Sequence, residues 1–158
     1  MGCVYKEVAL IDEKGNIIPK IKLSNDTVKI VNPDYKKLYR AYSKSDGYAL
    51  ADIMCRKNEE TNKRELTIVS IIDPLKKNII SDFELVELQK PIFKNGKLVY
   101  DDPDIFTKQK YCSEQMKTLY PEIKREKMPH EYYVDGTEEY VNFKNNMISE
   151  YRSLVKKI

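Results

Sequence analysis

With 158 residues, 41% of them hydrophobic and 34% charged, the chain has material for one domain, or for one compact domain with an appendage, and its composition excludes intrinsic disorder. The 28 basic and 25 acidic residues are interleaved and leave a net charge of +3, without the basic footprint of a nucleic-acid binder. No apolar run approaches the roughly 20 residues of a membrane span.

Residues 3–11 are an apolar run with β-branched and aromatic content, in which Val4, Tyr5, Val8 and Leu10 read as a strand that wants burial. The turn Asp12-Glu13-Lys14-Gly15-Asn16 and the loosely alternating stretch Ile17 to Leu23 complete a hairpin. Tyr35 to Tyr42 is a third strand, with Leu38, Arg40 and Tyr42 on one face and Lys37, Tyr39 and Ala41 on the other. After a turn at Ser43 to Gly47, Tyr48 to Cys55 returns as its hairpin partner. Residues 56–65 are charged and read as an exposed loop; Leu66 to Ile72 is a buried strand ended by Asp73-Pro74. Ile79-Ile80 and Phe83 to Leu88 carry further strand signal, Pro91 marks an edge or a break, and Asn95-Gly96 suits a tight hairpin over 93–98. The first 100 residues thus read as an antiparallel meander of roughly seven short strands, a sandwich or partial barrel.

The periodicity then changes. Asp102 reads as an N-cap with Pro103 in the first helical position, and Ile105, Gln109, Cys112, Met116 and Leu119 form one stripe ended by Pro121. Thr137 caps a second helix, with Glu138 and Glu139 in its first turn. Its amphipathic face runs through Val141, Lys144, Met147, Ile148, Tyr151, Leu154 and Val155 to Ile158, and Lys156-Lys157 suit its end. Residues 121–136 between them read as a connection. The expected class is α+β: a β-rich part, 1–100, and two C-terminal helices in a part, 101–158, packed on it as one compact unit.

Three cysteines, Cys3, Cys55 and Cys112, are odd in number and widely spaced, which points to reduced thiols and a cytoplasmic location. Met1 leads into a short mixed segment, so no signal peptide is expected. Met1-Gly2-Cys3 resembles an acylation start, but Lys6 stands where that pattern wants Ser or Thr. The pair Lys76-Lys77 and the cluster Lys124, Arg125 and Lys127 read as solvated surface.

A search for chemistry returns little. His130, the one histidine, has neither Cys3 nor Cys112 at a spacing that makes it a nucleophile's base. One histidine and scattered cysteines do not build a zinc site, and the acids at Asp101, Asp102 and Asp104 sit where a helix dipole favours them. The five glycines are dispersed and make no phosphate-binding loop. The twelve tyrosines fall on strand and helix faces, where core or interface roles account for them. By these residues alone the chain is an α+β domain without a self-contained active site.

A series of short segments, in order, carries a resemblance. These are Gly2-Cys3-Val4-Tyr5-Lys6; Lys22-Leu23-Ser24 and Lys29; Pro33 with Lys36, Tyr39 and Arg40; and Gly47-Tyr48-Ala49-Leu50-Ala51-Asp52. They continue with Asn95-Gly96-Lys97-Leu98-Val99, Leu119 to Arg125, and Pro129-His130-Glu131-Tyr132-Tyr133-Val134. Together they resemble the C-terminal region of nicotinate phosphoribosyltransferases. Asp34 departs from the glycine usual after the proline, so that turn is expected to take a different backbone conformation here.

The resemblance implies a parent enzyme that joins nicotinate to phosphoribosyl pyrophosphate in NAD salvage, with ATP hydrolysed through a phosphorylated histidine and Mg as its companion. It also implies an α/β barrel with a second domain, working as a homodimer. The histidine, phosphate loop and nicotinate contacts would lie before Met1, so no catalytic residue and no cofactor is assigned to this chain. Its expected partner is the barrel portion of the same enzyme, with no nucleic acid and no membrane. Lys22, Lys36 and Arg40 are candidates for a phosphate or interface contact; the other reading is that they pair with acids and brace a strand turn. A freestanding binding or regulatory module without catalysis is the alternative to an enzyme domain that is inactive alone.

Overall fold

A computed structural model describes residues 5–155. Cys3, Val4, the acylation-like start and Lys156 to Ile158 lie outside the described residues.

The first hairpin forms, as β1 (Ala9–Ile11) and β2 (Ile17–Pro19), antiparallel with Leu10 facing Ile18. Its turn is tied by the Asp12 carboxylate, which accepts from the Lys14 and Asn16 backbone N–H groups at 2.9 and 2.7 Å. The expected burial does not follow. β1 pairs only with β2, and of the residues expected inside, Tyr5 and Leu10 are exposed and Val8 is half-buried, because the hairpin is its own two-stranded sheet.

The main sheet has six strands: β3 (Lys36–Ser43), β4 (Ala49–Arg56), β5 (Glu65–Val69), β6 (Lys77–Ser81), β7 (Phe83–Glu87) and a late strand over Tyr133–Thr137. β3 and β4 are the expected hairpin, with Arg40 opposite Asp52. β5 and β6 are a second, with Thr67 opposite Ile79. β7 does not follow β6 across the sheet. It pairs with β3 at the far side, Ala41 opposite Leu85. Yet only Asp82, at φ 50°, separates the two strands. One residue reaches about 3.5 Å, so strands at opposite ends of the sheet order must meet at that corner, and the sheet curls into a half-barrel. This is the partial barrel the strand density suggests.

The stretch 121–136, read as a connection, holds the strand that joins the two hairpins. A short 93–98 hairpin, β8 (Phe93–Lys94) with β9 (Lys97–Leu98), and the helix α1 (Ile105–Lys117) come first. Then β10 (Tyr133–Thr137) enters between β4 and β5, parallel to the former and antiparallel to the latter. The sheet order is β6-β5-β10-β4-β3-β7. The C-terminal part therefore completes the sheet as well as covering it. Helix α2 (Glu138–Val155) follows without a break, and Thr137 Oγ1 accepts from Tyr140 N–H at 3.1 Å as the expected cap.

The core lies inside the curl: Ala41, Ala51, Ile53, Leu66, Ile68 and Phe83. A second cluster, Val69, Tyr140 and Val141 with Met54, Ile71 and Phe143 around it, seals α2 to the sheet. Gly136 allows that approach, since a Cβ there would meet Val141 Cγ2 at 2.9 Å. Helix α1 differs from expectation twice. Its N-cap is Asp104, accepting from Phe106 and Thr107 N–H at 2.8 and 3.0 Å, and it buries none of its residues. The stripe Ile105, Gln109, Cys112 and Met116 is real as a periodicity but faces outward or lies at the rim.

Candidate functional site

Two polar clusters hold the basic candidates. In the first, Lys36 reaches back over the loop before β3. Its Nζ donates to the carbonyl oxygens of Asn32 and Asp34, both at 2.7 Å, and of Pro33 at 3.4 Å. Burial pushes its pKa down, partly opposed by Asp34. Lys144 of α2, also buried and also lowered by that burial, donates to Asn32 Oδ1 at 2.7 Å. The Tyr140 hydroxyl donates to Pro33 O at 3.0 Å. Asp34 anchors the loop from below: Oδ2 accepts from Arg56 Nε at 2.7 Å and Oδ1 from Tyr35 N–H at 2.6 Å. Asp34 has φ 72°, so the turn expected to be reshaped by the loss of glycine keeps a backbone suited to glycine. Its strain, of order 1 kcal/mol, is offset by these hydrogen bonds. The Arg56 guanidinium also lies 4.3 Å from the Phe143 ring centroid, joining β4 to α2.

In the second cluster, Arg40 makes a two-pronged ion pair with Asp52, Nε to Oδ1 at 2.7 Å and Nη2 to Oδ2 at 2.9 Å. The facing register of β3 and β4 puts them together. Arg40 Nη1 and the Tyr42 hydroxyl both donate to Gln115 Oε1 of α1, at 3.0 and 3.1 Å. The Tyr132 hydroxyl donates to Asp52 Oδ1 at 2.9 Å. Asp52 holds the Arg40 pKa above its ordinary value, and burial followed by Asp52 pushes the Tyr132 hydroxyl up as well. This cluster bolts α1 and the segment before β10 onto the sheet. Tyr48 stacked on Tyr120 at 4.5 Å, and Ala49 N–H donating to Thr118 O at 2.8 Å, act beside it.

Lys22, by contrast, contributes only a backbone carbonyl, which accepts from Val31 N–H at 3.4 Å. Lys124 Nζ donates to Met116 O at 3.2 Å and Arg125 pairs with Glu122 at 3.6 Å, both in exposed loop. Cys55 is buried and its thiol is pushed up to about 12 by that burial, with Glu59 adding to it; Cys112 is exposed. No group of three metal-ligating side chains occurs among the described residues.

A cavity of about 380 Å³ opens beside the first cluster, lined by Asp34, Tyr35, Arg56 and Glu59, and a larger groove lies away from both clusters. This groove, of about 650 Å³, runs between the sheet and the 119–133 connection, with Leu50, Ile80 and Ile123 as apolar floor and Tyr120, His130 and Tyr133 on its walls. His130 donates its backbone N–H to Glu122 O at 3.0 Å and has no nucleophile beside it in the groove. The sequence reading missed Asp52, Gln115, Tyr132 and Asp34 as the partners that define the two clusters. The Arg40–Asp52 pairing was open to inference, since a hairpin centred on Asp46 sets residues 40 and 52 opposite each other. Gln115 and Tyr132 come from remote segments and carry no such signal.

The nicotinate phosphoribosyltransferase C-terminal domain family matches residues 35–144 of the chain. The chain is 31% identical over 157 residues, 99% of its length, to nicotinate phosphoribosyltransferase of Bacillus subtilis (strain 168), covering 32% of that protein. To the Caenorhabditis elegans protein of the same name it is 30% identical over 146 residues, 25% of that protein. It thus spans about a third or less of the length of these relatives. The crystal structure of human nicotinic acid phosphoribosyltransferase superposes on 75% of this chain and 24% of its own, with a TM-score of 0.63 and 18% sequence identity, a likeness of fold.

Proposed function

From the premise that this chain belongs to the nicotinate phosphoribosyltransferase C-terminal domain family, we propose that it serves as a supporting domain of that enzyme and is inactive alone. The enzyme makes nicotinate mononucleotide from nicotinate and phosphoribosyl pyrophosphate with ATP hydrolysis, in the cytoplasm and as a homodimer. The observation that carries the reading is the match of 99% of this chain to one third of a relative with that name.

The chemistry of the described residues supports a supporting role. Lys36 and Arg40, the basic candidates, are committed to carbonyls and to Asp52, and their work is to brace the turn before β3 and the seat of α1. Only Lys22 keeps its charge available for an interface. These residues do not fit a Mg–ATP site: Arg40 is paired with Asp52, the Lys36 ammonium is taken up by backbone carbonyls, and no metal-ligating cluster occurs among the described residues. ATP and Mg belong, in this reading, to the rest of the enzyme, and no catalytic step runs through this chain.

The test supplies this chain to a Bacillus subtilis enzyme lacking the matched third. No nicotinate mononucleotide is expected from either piece alone, and formation is expected from the two together. Product from this chain alone, or full activity of the shortened enzyme, would overturn the proposal. A well-folded chain that fails to restore activity would favour a freestanding binding module.

A further inference from the structure

The 650 Å³ groove continues into a smaller cavity of about 200 Å³, the two sharing Asn78, Glu131 and Tyr133. Asp135 of β10 lines the smaller one. It is 7% exposed, and its carboxylate accepts no hydrogen bond from any described residue. Every fully buried side-chain polar atom among the described residues does have a partner, so the remaining opening of this carboxylate is the cavity itself. The carboxylate oxygens therefore open into the cavity and have no donor among the described residues, which leaves them free to accept from a cation that enters. Burial raises its pKa, and Glu131 raises it further; Lys76, on the rim, lowers it without forming an ion pair. Two carboxylates, an aromatic wall from Tyr133 and an adjoining apolar floor define what would fit: a planar cation next to an apolar group. Arginine supplies the fork for two carboxylates and a face for the tyrosine ring, which lysine does not.

We infer that this double cavity is a docking site for an arginine side chain carried beside an apolar residue on a segment of the enzyme's catalytic part, with Asp135 and Glu131 taking the guanidinium and Leu50, Ile80 and Ile123 taking the apolar residue. The inference rests on the reading of this chain as one domain of the longer enzyme. It assigns Asp135 a role that neither polar cluster uses, and it makes the groove, with His130 at its wall, an interface instead of a reaction site.

Two measurements test it. In the first, the isotope-labelled chain is titrated with acetyl-leucyl-arginine amide and with the citrulline analogue, which keeps the shape and removes the charge. Amide resonances of Asn78, Glu131 and Asp135 should move with the arginine peptide. Binding should weaken about tenfold for citrulline, for Asp135→Asn and for Glu131→Gln, the last at an exposed position that leaves the fold alone. Equal binding of both peptides, or no effect of either substitution, overturns the cation site. In the second, the part of the Bacillus subtilis enzyme outside the matched third is used to capture the chain. Capture should drop about tenfold in the double variant Asp135→Asn, Glu131→Gln. Equal capture of wild type and variant overturns the assignment of this groove and leaves the proposed function standing. Failure to capture the wild type overturns the occupant together with that reading.

Discussion

In the sheet and α2, Ala41, Ala51, Ile68 and Tyr140 are fully buried; between Ile92 and Lys117, Phe93, Leu98, Ile105 and Phe106 all stand more than 60% exposed. Both regions are regular secondary structure, and both are rich in large apolar residues. The first is held by apolar burial from several directions at once. The second is held at a few points near its C-terminal end: hydrogen bonds of Gln115 with Arg40 and Tyr42 and of Thr118 with Ala49, and the Tyr120 ring stacked on Tyr48. A 13-residue helix gains little stability by itself. Polar attachment can therefore set where α1 sits while leaving its apolar side chains outside. Orientation and burial are separate achievements, and this chain makes the first without the second in the 92–117 stretch.

Thiol labelling should show the difference at its largest. In a Cys3→Ser background, Cys112 should react at once and Cys55 about 1000-fold more slowly, since its thiol becomes accessible only through opening of the sheet. Comparable rates would mean that the curled sheet is not the stable unit. Next, Ile68→Ala should cost about 2–5 kcal/mol in denaturant unfolding, while Phe106→Ser should stay within about 0.5 kcal/mol. A large loss from Phe106→Ser would break the comparison by showing that α1 packs in solution.

Between these falls the polar bolt. Arg40→Ala leaves Asp52 with only the Tyr132 hydroxyl and Gln115 Oε1 with only the Tyr42 hydroxyl as donor, and removes the counter-charge from a pair whose side chains are each 18% exposed, so a loss of about 2–3 kcal/mol is expected. Gln115→Ala should cost about 1 kcal/mol or less globally, yet raise hydrogen exchange across α1 selectively. Uniform acceleration over the whole chain would contradict the separation of the two regions.

The smallest effect concerns pH. Asp135 and Glu59 have folded-state pKa values raised by burial above those of an unfolded chain. The folded state therefore binds their protons more tightly, and stability from these groups is present below the unfolded values and lost as pH rises through the folded ones. Melting temperature should rise as pH falls from neutral toward the carboxylate range, before other groups reverse it, and Asp135→Asn should flatten part of that rise.

Much of this architecture was legible in the residues. The β3–β4 hairpin, the Asn95-Gly96 turn, with φ 51° and 74°, and the Thr137 cap all rest on contacts between residues near in sequence. β10 was not legible. Tyr133-Val134-Asp135-Gly136-Thr137 is short and holds Asp and Gly, both weak strand formers. It becomes a strand because β4 and β5 present open edges on either side of it. The same holds for Lys36 and Arg40: their charge and spacing are visible, but an ammonium on three carbonyls and a guanidinium on a paired carboxylate arise only when remote segments meet.

The sequence by itself determined the class, α+β, and the local signals of turn, cap and period, because those depend on neighbours within a few residues. It also carried the ordered segments that tie the chain to its family. The tertiary structure alone decided that β6 and β7, joined through Asp82, close the sheet into a half-barrel, and that the helical part supplies a central strand. It alone left α1 outside the core and Asp135 facing a cavity. Each of these depends on which distant surfaces are free to pair, a property that no window of sequence contains.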